Sequence, residues 1–424
     1  MSRKSCFACT APKTARKALT PFCRNARRAF KDVEQMPQTT LAAARYTGLT
    51  WDHPRGYEPL AAAARIQQTR DGAPLITWHT QPLSGFEEHP IADLAARYDL
   101  LVLDHPHIGE AVDAKCLTPL EDHFHAADIA AWRQGSVGHA MASYCWAGKH
   151  WALPIDVAAQ VSAYRPDRLA AAPRDWDEVV AVSERNPVAL SLAGPHAFLS
   201  LLSICAALGA EPAQDDALLP TSVALEALGI MSRIDARAPS ATRVLNPIGL
   251  LQAMASGADL ALVPLVFGYV NYAVPQAGQW PVAFAQAPLA YGGKRHGSVL
   301  GGTGIALTAR AEANPSLIEH LRGLMSQHAQ VRFFPSHQGQ PSARAAWIDP
   351  EVNARWNNFY AATLDTVETA LLRPRHDGYI AFQAAAAALI RAGLATRAAP
   401  ALTLEHIRQA WRTGRQQMLT TTLT

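Results

Sequence analysis

Short apolar runs alternate with polar loops and helical patterns through the chain from residue 46 onward. Residues 99–103, Asp-Leu-Leu-Val-Leu, form a continuous apolar run typical of a strand buried on both faces of a parallel sheet. Residues 46–49 and 75–79 are also predicted strands, and each precedes a polar loop and a helical pattern. This repeated order of strand, loop and helix predicts an α/β fold.

The segment 148–182 carries the most specific pattern and predicts a strand, a crossing segment, a second strand and a capped helix. Pro154 has no backbone N–H and fits poorly in a central ladder, so we expect the first strand to end or cross there. Asp156 then lies where its side chain can face a cleft. Asp175 is a predicted N-cap, and a helix should begin near Trp176.

This order resembles the extracellular solute-binding proteins (family 1) of ABC transporters, of the sugar-binding type. The resemblance rests on the Trp-Ala-Leu-Pro strand at 151–154, on Asp156, on a return strand that ends in Tyr164, and on Arg-Asp-Trp-Asp-Glu at 174–178. It implies a two-lobe, periplasmic-binding-protein-like (type II) fold. Each lobe would be a mostly parallel sheet flanked by helices, with the ligand cleft at the hinge.

The resemblance also implies domain boundaries. Lobe 1 would comprise residues 46–156 and about 289–345. Lobe 2 would comprise about 157–288 and about 346–420, including the C-terminal helices.

Two polar loops follow predicted strands of lobe 1, at residues 51–56 and 104–109. Ligands of open α/β sheets bind outside the carboxyl ends of strands, so we expect these loops to be neighbours over one crevice. Their carboxylates and imidazoles can accept hydroxyl or amine protons, the indole offers an apolar face, and the arginine can pair with an acidic group. The candidate ligand-binding residues here are Trp51, Asp52, His53, Arg55, Asp104, His105 and His107, with Asp156 added from the hinge segment.

The resemblance adds candidates from lobe 2 and from a returning strand. Residues after a cleft strand contact ligand in the family, and carried over these are Phe267, Tyr269 and Asn271. The two aromatic residues are equally consistent with a role in the core between the lobes. At the returning segment 297–307 the candidates are Gly302 and Thr303, and glycine there permits close backbone approach. The segment lacks the Lys-Ser/Thr ending of a P-loop, which argues against phosphate binding.

Composition agrees with two domains. A chain of 424 residues exceeds what one core usually serves, and 49% of its residues are hydrophobic. No continuous apolar run reaches the ~20 residues of a membrane span, so the chain is not predicted to span a membrane. Residues 1–35 carry nine basic and two acidic residues, or +7; since the whole chain is +3, the remainder is −4. A mildly acidic body gives no reason to expect nucleic-acid binding.

Residues 1–45 do not fit the resemblance. They contain no apolar segment of the kind found in signal peptides, so we expect a disordered or mis-assigned extension, with Met36 as an alternative start to Met1. Cys6, Cys9 and Cys23 lack a fourth ligand at zinc-site spacing. The family is periplasmic, whereas the sequence as written predicts a cytoplasmic product.

The sequence thus predicts a solute-binding component of an ABC-type uptake system, not an enzyme. It would bind a small polar solute, a sugar or polyol by default, between two lobes by hinge closure, without a cofactor. The acidic residues would also suit a cation-bearing solute. The expected partners are the solute and, if the chain is exported, an ABC permease, and the chain is expected to be a monomer.

An enzymatic alternative stays open at this point. The loop of Asp104, His105 and His107, with Glu110, His123 and His125 nearby, offers the side chains of a metal site. The alternative is therefore a cytoplasmic metal-dependent hydrolase or solute sensor. His-Pro-His would place both imidazoles on one side only if the segment were extended.

Overall fold

The computed structural model describes residues 46–67, 72–213 and 215–422. The predictions for residues 1–45, including those for Cys6, Cys9, Cys23 and Met36, lie outside the described residues. The strands are β1 (Tyr46–Trp51), β2 (Ile76–Gln81), β3 (Leu100–Leu103), β4 (Cys145–Trp146), β5 (Lys149–His150), β6 (Leu153–Tyr164), β7 (Leu262–Phe267), β8 (Ala283–Ala285) and β9 (Leu300–Leu307).

Helices fill the connections and the C-terminal portion. They are α1 (Pro54–Ile66), α2 (Leu83–Glu88), α3 (Ile91–Ala95), α4 (Ile108–Asp113), α5 (Ala126–Gly135), α6 (Ala140–Ser143), α7 (Trp176–Ser183), α8 (His196–Ala207), α9 (Thr221–Asp235), α10 (Pro247–Ala255), α11 (Pro315–Leu324), α12 (Phe334–Ser336), α13 (Arg344–Ile348), α14 (Pro350–Arg355), α15 (Phe359–Glu368), α16 (Tyr379–Thr396) and α17 (Pro400–Thr422).

The main sheet has the strand order β2-β1-β3-β9-β6-β7, and β8 also pairs with β6. Strand β1 is parallel to β2 and β3, as the sequence predicts. The pairings of β9 with β3 and β6, and of β6 with β7 and β8, are antiparallel. Among the named strands of the described residues, the expected parallel pairing therefore holds for β1, β2 and β3, while isolated parallel bridges join Val188 to Leu262 and Asp175 to Leu289. The antiparallel pairing arises because β6 and β9 traverse the sheet in opposite directions.

Strand β6 connects two regions of the molecule. Its first half pairs with β9, and its second half pairs with β7 and β8. The first strand was predicted to end or cross at Pro154, and an end there is wrong, because Pro154 is the second residue of this single strand of 12 residues. The ladder shifts register between Pro154 and Asp156, and this irregularity accommodates a residue that cannot donate a backbone hydrogen bond.

The two regions have separate hydrophobic clusters. One cluster lies beside β1, β3 and β9 and includes Leu49, Leu101 and Ala306. The other is formed largely by helices α7, α8, α9, α16 and α17, and includes Phe198 and Trp411. We call these the first and second regions, since each packs its own core.

Local helix signals are borne out in part. Asp175 Oδ1 accepts a hydrogen bond from Glu178 N at 2.9 Å, which confirms the predicted N-cap of α7. Helices α14 and α15 are separated by residues 356–358, where Asn357 and Asn358 have positive φ angles of 47° and 62°. Asparagine tolerates this left-handed backbone better than most residues do.

Helix α16 alone, among the described residues, is long and apolar enough to cross a membrane by length and composition. One face of this helix, including Phe382, Ala386 and Ile390, packs into the second cluster. That face is accounted for by contact with α8 and α17.

Candidate functional site

The loop after β1 turns directly into helix α1 and buries an arginine. His53 is the N-cap, and its Nδ1 accepts a hydrogen bond from Arg55 N at 3.2 Å. Pro54 occupies the first turn, where its missing N–H costs nothing. The strand therefore runs to Trp51, and the helix begins earlier than the sequence predicts. Arg55 lies in the first helical turn with its side chain directed inward.

Arg55 and Asp156 form a buried, two-point ion pair. Arg55 Nε donates to Asp156 Oδ1 at 2.8 Å, and Nη2 donates to Oδ2 at 2.6 Å. Nη1 donates to the carbonyl of Gly268 at 2.9 Å. Both side chains are only 4% exposed. Because Arg55 follows β1 and Gly268 follows β7, this arginine joins the first region to the second.

Aromatic rings surround this pair. The guanidinium carbon of Arg55 lies 4.4 Å from the centroid of the Tyr269 ring and 5.4 Å from that of Trp51. Trp51 stacks on His53 with centroids 5.3 Å apart, and His53 meets Tyr269 edge-on at 4.9 Å. Burial, and to a smaller extent the positive charge of Arg55, lowers the pKa of His53 to about 3, so this imidazole is neutral at pH 7. We call Trp51, His53, Arg55, Asp156 and Tyr269 the Arg55 centre.

A second, partly buried pair lies at the end of β3. Asp104 Oδ1 accepts from the backbone N–H of His105 at 2.8 Å and lies 3.1 Å from His105 Nδ1. Asp104 Oδ2 pairs with Arg373 Nη2, while Arg373 Nη1 donates to Gln383 Oε1 at 3.4 Å. Tyr379 begins helix α16 beside this pair, and burial raises the pKa of its hydroxyl well above the ordinary value, while Arg373 lowers it and Asp104 raises it. We call Asp104, His105, Arg373 and Tyr379 the Asp104 centre.

The charges of the Asp104 centre are mutually stabilised. Burial alone would raise the pKa of Asp104, but Arg373 and His105 together hold the pKa of that carboxyl well below its ordinary value. Burial lowers the pKa of His105 to about 4, although the hydrogen bond to Asp104 opposes that shift. At pH 7 the centre therefore contains an aspartate, an arginine and a neutral histidine.

Tyr144 adjoins both centres. Its hydroxyl donates to the carbonyl of Leu103 at 3.2 Å, and its ring meets His105 edge-on with centroids 6.5 Å apart. Burial, together with the negative charges of Asp104 and Asp156, raises the pKa of Tyr144 well above its ordinary value. Tyr144 is thus influenced by one carboxylate from each centre, and we call the region between the two centres the cleft.

Several buried polar atoms around this cleft have no hydrogen-bond partner. Native proteins leave few buried polar atoms unpaired, so a group of them indicates a place for water or ligand. The atoms that belong to the two centres or to their neighbour Thr303 are Trp51 Nε1, His105 Nε2, Thr303 Oγ1, Arg373 Nε and Tyr379 OH. They include hydrogen-bond donors, acceptors and hydroxyl groups that can do either.

Gly302 and Thr303 lie in β9, the strand next to Asp156 in the sheet. Thr303 is the register partner of Asp156, and Gly302 has a φ of 110°. A Cβ atom on Gly302 would lie 2.2 Å from the carbonyl oxygen of Asp156. This close contact confirms the prediction that glycine permits backbone approach at the returning strand.

The remaining predicted site residues are placed differently. Asp52 is exposed, and its backbone N–H donates to Gln81 O. His107 is buried with its Nδ1 3.8 Å from Glu110 Oε2. Asn271 Nδ2 donates to Gln338 Oε1 at 2.6 Å. The structure therefore gathers Trp51, His53, Arg55, Asp156 and Tyr269, and separately Asp104 and His105.

Sequence reasoning missed Arg373, Tyr379 and Tyr144 as cleft residues. The motif Arg373-Pro374-Arg375 ahead of a helix was a visible signal, because two arginines beside a proline are unusual in a core connection. It also missed a contact between the regions in which His196 Nε2 lies 3.3 Å from Glu87 Oε1. No sequence pattern marks that contact.

The geometry of the His-Pro-His loop does not favour a metal site. Among the residues described, no group of three or more His, Cys, Asp or Glu side chains is arranged to hold a metal ion. His105 and His107 lie in a 3₁₀ turn instead of an extended segment and face different partners. The guanidinium of Arg373 contacts Asp104, and its positive charge opposes a cation there.

Solved structures with a similar fold are solute-binding proteins of ABC transporters. One from Agrobacterium radiobacter K84, in complex with ribitol, has a TM-score of 0.72 at 20% identity over 87% of this chain and 98% of that chain. Maltose-bound MalE3 from T. maritima has a TM-score of 0.71 at 17% identity, over 88% of this chain and 100% of that chain. A solute-binding protein from Thermotoga lettingae, bound with α-D-tagatose, has a TM-score of 0.70 at 13% identity, over 87% and 100%.

No protein-family model matches this chain, and no curated protein matches it. The structural similarity shows that the chain has the two-lobe, periplasmic-binding-protein-like α/β fold predicted from the sequence.

Proposed function

We propose that this chain is the solute-binding component of an ABC-type uptake system and that it binds a small, neutral, polyhydroxylated solute between its two lobes. The observation that carries the proposal is the group of buried, unpartnered polar atoms around the Arg55 and Asp104 centres, in a fold used by solute-binding proteins. A solute with several hydroxyl groups can satisfy donors and acceptors together.

The internal pairing of charges supports a neutral solute. Asp156 is held by Arg55, and Asp104 is held by Arg373, so neither carboxylate is left to attract a cationic solute. The nitrogens of Arg55 are all bonded within the protein, which removes the pairing with an acidic solute that the sequence suggested. The structures of similar fold contain ribitol, tagatose and maltose, which are neutral and hydroxylated.

Contacts between the two regions support the proposal of hinge closure. Arg55 of the first region bonds Gly268 of the second, and Glu87 contacts His196. A solute that touches both lobes binds the closed arrangement more tightly and shifts the open–closed equilibrium toward it. The role we propose is delivery of the captured solute to a membrane permease from outside the cytoplasm, without catalysis.

A thermal-unfolding screen of the full chain tests the proposal. The compounds fall into four matched sets: neutral sugars and polyols including ribitol, tagatose and maltose; amino sugars; sugar acids; and divalent metal ions. A solute at a hundredfold excess over its Kd adds about 2.7 kcal/mol to the free energy of unfolding. We expect this stabilisation from one or more neutral compounds and from neither charged set.

A variant outside the cleft serves as the control. Arg133 lines a shallow cavity of about 540 Å³ beside helix α5, together with Glu121 and His150. Arg133→Ala should leave the stabilisation by a neutral solute unchanged. Stabilisation by metal ions alone would contradict the proposal, and so would stabilisation that Arg133→Ala abolishes.

A further inference from the structure

We propose that Arg373 is a positioning residue that ties the C-terminal helices of the second region to the Asp104 loop and thereby holds the cleft closed. The inference rests on the proposed function, which it deepens by naming what controls closure. The segment concerned is residues 371–378, which we call the arginine strap.

Both ends of the arginine strap are anchored. At its start, Leu371 N donates to Ser298 O at 2.8 Å, and Leu300 N donates to Leu371 O at 2.9 Å. At its end, the strap leads into helix α16, whose inner face packs in the second hydrophobic cluster. The strap is therefore fixed to the hinge strand β9 on one side and to the second region on the other.

The middle of the strap lies against the first region. Arg375 Nη1 donates to the carbonyls of Ala142 and Ser143 at 3.0 and 3.1 Å. A Cβ atom on Gly109, in helix α4, would lie only 1.7 Å from the carbonyl oxygen of Arg375. The backbone of the strap therefore packs against helix α4, just after the loop that carries Asp104 and His105, and the Arg375 side chain holds helix α6.

Arg373 is the charged member of this contact that is most deeply buried. It is 3% exposed, and its guanidinium is shared between Asp104 of the first region and Gln383 of helix α16. Opening the cleft would separate this pair and expose both charges. Removing one partner leaves an unpaired buried charge, which is strongly unfavourable in the closed form.

The same pair borders unsatisfied polar atoms. Arg373 Nε, His105 Nε2 and Tyr379 OH are buried and have no partner. Arg373 therefore fixes Asp104 through one nitrogen while a second nitrogen stays available at the site. The guanidinium has the shape for this double task, whereas the single ammonium of lysine does not.

The first test measures closure without any solute. Small-angle X-ray scattering of the full chain should give a larger radius of gyration for Arg373→Gln and for Asp104→Asn than for the unchanged protein. The double variant should resemble either single one, because the two substitutions break the same contact. Exchange of the charges, Asp104→Arg with Arg373→Asp, should restore part of the compactness. Unfolding midpoints and circular dichroism show whether each variant is folded.

Arg174→Ala is the matched control for loss of an arginine. Arg174 pairs with Glu178 on the exposed surface of α7, and its removal should not change the radius of gyration. If Arg373→Gln does not fold, Arg373→Lys keeps the charge but loses the shared contact, and we expect it to be intermediate. An unchanged radius of gyration in folded Arg373→Gln and Asp104→Asn would overturn the proposal.

The second test measures affinity for ribitol, tagatose and maltose by titration calorimetry. For any of these that binds the unchanged protein, Arg373→Gln should weaken binding tenfold to a hundredfold, and Arg373→Lys less. Equal affinity in Arg373→Gln would overturn the role of the strap in binding. If none of the three binds the unchanged protein but the variants still open, the strap stands as the closing element and the proposed solute class falls.

Discussion

The two arginine–aspartate pairs of the cleft look alike but are completed differently. In the Arg55 centre, Nε, Nη1 and Nη2 of Arg55 all donate hydrogen bonds within the protein, and two aromatic rings cover the guanidinium. In the Asp104 centre, Arg373 Nε has no partner, and neither do His105 Nε2 and Tyr379 OH. The first pair is self-contained, whereas the second leaves hydrogen-bonding capacity at its edge.

This difference assigns separate tasks to the two pairs. Asp156 lies in β6 where that strand passes between the regions, opposite the close backbone contact of Gly302. We propose that the satisfied pair at this place fixes the hinge. An incompletely satisfied pair at the end of β3 instead suits recognition, because a solute can complete it.

The largest expected effect comes from breaking the self-contained pair. Asp156→Ala leaves Arg55 charged and buried without its partner, so the free energy of unfolding should fall by about 3–5 kcal/mol. Urea denaturation of the full chain measures this change. Arg174→Ala, which breaks an exposed pair, should leave the midpoint unchanged. A loss of stability no larger than in that control would contradict the role of the Arg55–Asp156 pair in holding the hinge.

Acidification should destabilise both centres through their neutral histidines. Below pH 6.5 the unfolded chain protonates an imidazole that the folded chain leaves neutral down to a pKa of about 3 for His53 and about 4 for His105. The unfolded state then binds more protons, so stability falls as the pH is lowered through this window. Each buried imidazole should lower the free energy of unfolding by on the order of 3 kcal/mol as the pH falls from 6.5 to 4.

Glutamine variants isolate these contributions in denaturation curves recorded at several pH values. His53→Gln should flatten the dependence of stability on pH more than His105→Gln, because the pKa of His53 lies lower. His125 is exposed, and His125→Gln should leave the slope as it is. Equal slopes in all three variants would contradict the account of buried neutral imidazoles.

The smallest expected effect on stability comes from removing the hydroxyl groups of two buried tyrosines. The two centres should respond differently to this change. Tyr360, close to Arg55 and Asp156, donates its hydroxyl to Gly339 O at 2.8 Å, so Tyr360→Phe should cost about 1 kcal/mol of stability. Tyr379 OH has no partner, so Tyr379→Phe should cost nothing and should lower solute affinity instead. Thermal unfolding and titration calorimetry of both variants measure the two effects. A matching stability loss in both would remove the distinction between the centres.

Local signals in the sequence were sufficient for much of the fold. The apolar run at 99–103 became β3 with all four strand residues buried, and the Asp175 cap began α7 as predicted. The close backbone approach expected of glycine in the returning segment is found at Gly302, where a side chain would clash. These predictions succeeded because each depends on a few neighbouring residues.

The pairings that define the cleft depend on residues far apart in the sequence. Arg55 meets Asp156 across 101 positions, and Arg373 meets Asp104 across 269. Residue types made Asp104 and Asp156 candidates, but nothing local indicated that each would be neutralised by an arginine. The prediction that a strand ends at Pro154 was wrong for a related reason. The register shift that accommodates Pro154 depends on pairing with β9, which is distant in the sequence.

Hydrogen–deuterium exchange of the full chain, with and without a neutral solute selected by the screen, tests the central claim most directly. Our account predicts slower exchange on solute binding at residues 104–109, at 268–273 and in the arginine strap, with little change around helix α5. Protection confined to helix α5 and its neighbours, with these three segments unaffected, would contradict binding in the cleft.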